Sequence, residues 1–143
     1  IHFPWCVRKC PYCDFNSHAV RGDLPEEQYV DALLADLESD LARVWGRPVR
    51  SVFLGGGTPS LFSPGAIERL LAGVRARVTL VPEAEVTLEA NPGTVEIERF
   101  RGYHAAEWFR SAEFVVQTVR HVRLVRHQVP MIALRNCSHA YTP

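Results

Sequence analysis

Long apolar runs are missing from this sequence, and no stretch is long enough to span a bilayer as a helix. An excess of charge of either sign is missing too. Sixteen basic residues offset sixteen acidic ones, and the pI is near 7.2, so nothing global draws the chain to nucleic acid or an anionic membrane. No charged start leads into an apolar core, so no secretory signal is recognisable. The chain opens on Ile1 rather than Met, and the natural N-terminus is expected upstream. Cysteine is sparse. Of four cysteines, three fall within residues 6–13 and the fourth is Cys137, a poor framework for disulfides. A reducing, cytoplasmic setting is therefore expected, in which thiols remain available as ligands. The 143 residues amount to about one domain.

What is present alternates between strand and helix patterns. Ile1–Phe3 reads as a strand tail running through Pro4 into the cysteine loop. Over residues 25–45, PEEQYVDALLADLESDLARVW, Tyr29, Leu33, Leu37, Leu41 and Val44 recur on one helical face. Pro25 at the first helical position and Glu26 and Glu27 in the first turn suit its start, and Gly46 and Pro48 its end. VRSVFLGGG (49–57) predicts a buried strand. Ser63–Pro64 open a second helix with Ile67, Leu70, Leu71 and Val74 on its apolar side. AEVTLEANP (84–92) predicts a third strand, Val86 and Leu88 alternating with Thr87 and Glu89, and VEIERFRGYHAA (95–106) a further helix. This rhythm implies an α/β fold of parallel βαβ units. Beyond Trp108 the pattern degrades to a strand over 114–119 and then Arg and His scattered among valines. The charge shifts as well, from 9 basic and 14 acidic residues over 1–98 to 7 and 2 over 99–143.

In parallel α/β architectures ligands gather at the carboxyl ends of the strands, and three unusual features fall there. CVRKCPYC (6–13) follows the first strand, GGGTPS (55–60) the second, and Glu89 with ANPGT ends the third. The C-x3-C-x2-C spacing suits an iron–sulfur cluster with one iron left open, a zinc site completed by Cys137 or His18, or simply reactive thiols. Arg8 and Lys9 between the first two cysteines would favour thiolates. GGGTPS lacks the lysine and spacing of a phosphate loop. Alone it is a tight strand-to-helix turn; beside the cysteines its glycines would let a ligand approach backbone N–H and C=O groups, with Thr58 adding a hydroxyl. Glu89 is either a solvated strand terminus or an acceptor for ribose hydroxyls or a protonated amine.

Together these segments resemble the radical S-adenosylmethionine (SAM) enzymes. CVRKCPYC resembles their CxxxCxxC motif and GGGTPS their glycine-rich motif for the SAM amino group. The longer strings IHFPWCVRKCPYCDFNSH, FLGGGTPSLF and LEANPGT are similar to the oxygen-independent coproporphyrinogen III oxidase family, with its haem-chaperone (HemW) branch. The true oxidases carry another cysteine two positions after the third ligand; here Phe15 stands there, and CDFNSH resembles the chaperone branch. The resemblance implies the N-terminal part of a partial (β/α) barrel, with Cys6, Cys10 and Cys13 holding a [4Fe–4S] cluster. It implies SAM contacts from Tyr12, Gly56, Gly57, Thr58 and Glu89, with His2 and Trp5 part of the surrounding pattern and Trp5 packing near the cluster. Haem or a porphyrinogen would be the molecule handled, flavodoxin or ferredoxin the electron donor, and no acid–base residue is required. Oxidative decarboxylation of coproporphyrinogen III, or a zinc-stabilised α/β interaction module, are the alternatives.

The resemblance runs over residues 1–105. In EWFRSAEFVVQTV, Arg110 and Gln117 only echo the family's next strand. Residues 106–143 are accordingly expected to be a divergent, frameshifted or truncated tail. A closed barrel takes roughly 200 residues or more, so exposed parallel edges are expected to favour dimerisation or aggregation. His104, His121, His127, His139 and Cys137 are expected to be incidental.

Overall fold

The computed structural model describes residues 1–90, Arg99, Gly102, Tyr103 and the backbone of residues 114–116. Strand and helix alternate along it: β1 (His2–Phe3), β2 (Trp5–Cys6), β3 (His18–Ala19), α1 (Glu26–Val44), β4 (Val49–Gly56), a 3-10 turn (Pro59–Leu61), α2 (Pro64–Arg77), β5 (Leu80–Ala90) and β6 (Phe114–Val116). β1, β4, β5 and β6 lie side by side in that order, each pair parallel, while β2 and β3 form a separate short parallel pair. Each new strand is added on the same side of the last. That is how a (β/α) barrel grows; a doubly wound sheet would reverse direction. Among the described residues the sheet is open, an α/β unit of parallel strands.

The period-2 alternation of the central strands decides which face is covered. Val52 and Leu54 of β4 stand in register with Val86 and Leu88 of β5, and all four join the core with Val30 and Leu34 of α1 and Ile67, Leu70, Leu71 and Val74 of α2. Both helices therefore sit on one face. The opposite face carries Phe53, paired in register with Thr87, and Phe53 is 51% exposed. Ile67, Leu70 and Leu71 are at most 1% exposed. At about 1.5–3 kcal/mol for each fully buried large aliphatic side chain, that stripe outweighs helix-propensity differences of a few tenths of a kcal/mol in holding α2. The start of α2 is fixed locally: Ser63 Oγ accepts from the Ala66 N–H as an N-cap, with Pro64 first in the helix. Glu26 at the head of α1 accepts from both the backbone N–H and the hydroxyl of Ser63, joining the two helix starts.

Three expectations shift in detail. Pro25 stands just before α1, as its cap residue. The buried line of α1 is Val30 and Leu34, with Tyr29, Leu33 and Leu37 only partly buried and Val44 exposed. The apolar stripe is broad, and contact with α2 selects the line beside the predicted one, while the end of the helix lies away from the core. β5 begins at Leu80, earlier than the alternation suggests, because residues between Leu80 and Glu85 bulge out of register with β4. Pro82, which has no N–H to give the ladder, lies in that bulge. Thr87 is also covered, at 8% exposure, and its hydroxyl donates to Glu85. The strand predicted over 114–119 is present as β6, 114–116. The ANPGT segment beyond Ala90, the helix over 95–106 apart from Arg99, Gly102 and Tyr103, Arg110, Gln117, the four tail histidines and Cys137 lie outside the described residues.

Candidate functional site

The cysteine loop is built on a closed base. Beyond Pro4 the chain leaves the sheet, runs through β2 and the three cysteines, and returns as β3. The His18 N–H donates to the Pro4 carbonyl at 2.6 Å and the Val20 N–H to the Cys6 carbonyl at 2.8 Å. An aromatic group fixes that base to the core. Trp5 packs edge-on against Tyr29 with centroids 4.7 Å apart, and Phe3 edge-on against Phe62 at 4.8 Å. Trp5 thus packs on the core side of the loop, against Tyr29. Tyr29 donates its hydroxyl to the His2 carbonyl at 2.8 Å, and burial raises its pKa above the ordinary tyrosine value.

Within the loop, Cys6, Cys10 and Cys13 are each half-buried and unbridged by disulfides. The Cys13 N–H donates to the Cys10 carbonyl at 3.1 Å, so the second and third cysteines share one turn. Val7, Tyr12 and Phe15 stand outward, at 67%, 55% and 58% exposure. Lys9 also makes defined contacts: its ammonium donates to the Phe15 carbonyl at 2.6 Å and to the Ser17 hydroxyl at 3.1 Å, bridging the two sides of the loop. Among the described residues no three His, Cys, Asp or Glu side chains converge closely enough to hold one metal ion.

The glycine segment meets this loop directly. The Gly57 N–H donates to the Phe3 carbonyl at 2.6 Å and the Thr58 N–H to the Trp5 carbonyl at 2.7 Å, the residue just before Cys6. Such an approach tolerates no side chain, since a Cβ on Gly57 would lie 2.4 Å from the Trp5 carbonyl oxygen. Gly56 has φ +110°, and its N–H donates to Glu89 Oε2 at 3.1 Å. Glu89 also lies over Gly55, where a Cβ would come within 2.9 Å of its carboxylate. His2 completes the junction: its ring stands over Gly56 and its Nε2 is 2.7 Å from the Asn16 carbonyl in the cysteine loop.

Cys6, Cys10, Cys13, Gly56, Gly57, Thr58 and Glu89 are therefore brought to one edge of the sheet, with Tyr12 on the outer surface of the same loop. Two features depart from the sequence expectation. The N–H groups of Gly55, Gly56, Gly57 and Thr58 are all engaged within the chain, and the Thr58 carbonyl accepts from the Leu61 N–H, so the segment does not hold those groups open for a ligand. Thr58 is only 3% exposed. The sequence reading missed Ser17, which is 3% exposed with its Oγ 3.7 Å from the Cys13 sulfur. Nothing in its local pattern marks it, because its burial comes from the loop folding back on Lys9.

Comparison with known proteins bears on this edge. The model of the radical SAM superfamily matches residues 1–131. Over 106 residues the chain is 59% identical to the haem chaperone HemW of Escherichia coli (strain K12), covering 74% of this chain and 28% of that protein. HemW of Haemophilus influenzae is 54% identical over 110 residues, 74% of this chain and 29% of that one. The solved structure of coproporphyrinogen III oxidase (HemN) from Escherichia coli, described as a radical SAM enzyme, superposes with a TM-score of 0.69 at 28% identity, covering 83% of this chain and 27% of that chain. The chain spans under a third of the length of these relatives.

Proposed function

The chain belongs to the radical SAM superfamily, and from that membership we propose that Cys6, Cys10 and Cys13 bind a [4Fe–4S] cluster with SAM seated between them and the glycine segment. The contact that carries this is Glu89 on Gly56, together with Gly57 and Thr58 on Phe3 and Trp5, which makes one edge out of three motifs distant in sequence. The donor set suits a cluster: three unbridged thiols stand on one anchored loop, the ligand type that iron–sulfur clusters take. Such a cluster, when bound, supplies one-electron chemistry at an iron open to an exogenous ligand.

The chain's own residues bind and orient. Glu89 accepts from a protonated amine or from ribose hydroxyls while holding Gly56 in place. Carbonyls of the glycine segment serve as acceptors for the same amine. Tyr12 is the aromatic wall beside Cys13, and Thr58, buried behind the turn, supports it. Identity to the HemW haem chaperones, and Phe15 in place of a further cysteine, support a role in haem handling, with haem the molecule bound by the longer protein and a flavodoxin or ferredoxin the electron donor. The likeness to HemN favours a second role, oxidative decarboxylation of a porphyrinogen. A cytoplasmic location accords with the unbridged thiols; no helix among the described residues is long and apolar enough to cross a membrane.

Anaerobic reconstitution followed by iron and sulfide analysis tests the cluster. Wild-type protein is expected to hold close to four irons per chain and Cys10→Ala to lose most of them; unchanged iron in the variant removes Cys10 from the ligand set. One zinc per chain with no iron would favour the zinc-stabilised module. Titration with haem, followed in the Soret band, against consumption of coproporphyrinogen separates chaperone from oxidase.

A further inference from the structure

We propose that Ser17 is a positioning residue for the third ligand, donating a hydrogen bond to the Cys13 sulfur and thereby raising the reduction potential of a cluster held there. The inference rests on Cys13 being a cluster ligand. Its geometry is a chain of three groups. Lys9 Nζ is 3.1 Å from Ser17 Oγ, and Ser17 Oγ is 3.7 Å from Cys13 Sγ.

The direction of each bond follows from the chemistry of the groups. An ammonium has donors and no acceptor, so Ser17 Oγ must accept from Lys9. The single hydroxyl proton then has to point elsewhere, and among the described residues the Cys13 sulfur is the partner recorded for it. A metal-bound thiolate, in turn, can only accept. Both ends thus fix Ser17 as donor to sulfur. Lys9 is itself held in position by the Phe15 carbonyl, which also receives the Ser17 N–H at 2.7 Å. Ser17 is 3% exposed, so water does not replace this bond readily. Hydrogen bonds to cluster sulfurs are one of the determinants of potential, since they stabilise the more negative, reduced state. Polarisation of the hydroxyl by the Lys9 cation strengthens the bond in the same direction.

The test is potentiometry followed by EPR on the anaerobically reconstituted full chain, with iron and sulfide measured on each sample. Ser17→Ala is expected to retain the wild-type iron content while its midpoint falls; a tenfold weakening of reduction corresponds to about 59 mV for one electron. Ser17→Thr, which keeps a hydroxyl, is expected to return toward the wild-type value. Lys9→Gln is expected to lower the potential more than Arg8→Gln, which removes the same charge one residue earlier and controls for charge alone. An unchanged midpoint in iron-replete Ser17→Ala overturns the inference and leaves the cluster assignment intact. Wild-type protein that takes up no iron overturns the cluster assignment, and the inference with it. If Ser17→Ala alone fails to take up iron, the two charge variants decide: a larger shift for Lys9→Gln supports the network, and equal shifts overturn it.

Discussion

At the scale of single residues, the site depends on an absent side chain. Gly57 lets the glycine segment rest against the carbonyls of Phe3 and Trp5, and a Cβ there would meet backbone at 2.4 and 2.8 Å rather than the yielding end of a side chain. Gly57→Ala is expected to destabilise by about 1–3 kcal/mol, the usual range for overpacking, seen as a lower midpoint in urea. Because the displaced atoms include the Trp5 carbonyl next to Cys6, iron uptake should fall with it; a variant with wild-type stability and iron content would contradict this role. The clustering of the three thiols on one loop was legible in the sequence because they are neighbours along the chain. Ser17 and the inward turn of Lys9 were not, since they arise from a loop returning on itself, and no window of sequence encodes that return. Thr58 was readable as a member of the motif, but its burial was not, because that depends on the packing of the turn behind it.

At the scale of elements, the helices illustrate what periodicity can and cannot specify. All four residues predicted for the apolar side of α2 are buried, and its Ser63 cap is in place. The face of α1 was found only approximately, because its stripe is wide and the partner helix, remote in sequence, chooses the line. Ser63 links the two helices by capping one and donating to Glu26 of the other. Ser63→Ala is expected to destabilise by ~1 kcal/mol through the lost cap alone. A double-mutant cycle with Glu26→Gln should return a coupling of roughly 0.5–3 kcal/mol, and additive effects would show that the link contributes nothing beyond the cap. Beyond α2, Arg99 donates to the Leu61 carbonyl and the Tyr103 hydroxyl to the Phe62 carbonyl, so the turn following the glycines is satisfied by residues about 40 positions later. That attachment, too, lies beyond what local pattern carries.

For the molecule as a whole, the alternation of strands and helices gave the parallel α/β class, and the one-directional strand order gives it the sense of a barrel. Register was less accessible: the bulge containing Pro82 moves the start of β5 by several residues relative to its neighbour. The face opposite the helices carries Phe53, half exposed on a central strand. In a longer barrel that face would look inward. For this chain alone, sedimentation velocity is expected to show concentration-dependent association, and Phe53→Lys to reduce it; a sharp monomer at all concentrations would count against an adhesive face.

The pairing of β1 with β4 also sets an order of events during synthesis. Cys13 is made well before Gly57, and until Gly57 exists the carbonyl of Phe3 lacks the partner that seats the loop on the sheet. At about 5–20 residues per second, the three thiols spend roughly 2–9 seconds on the nascent chain before their base can form. Iron delivered in that interval would meet an unshaped loop, and an oxidant would meet three neighbouring thiols with little to keep them apart. For the cluster proposed above, loading therefore belongs after the second half of the site has emerged, and slowing translation between residues 13 and 57 should raise the fraction of chains in which these cysteines are oxidised.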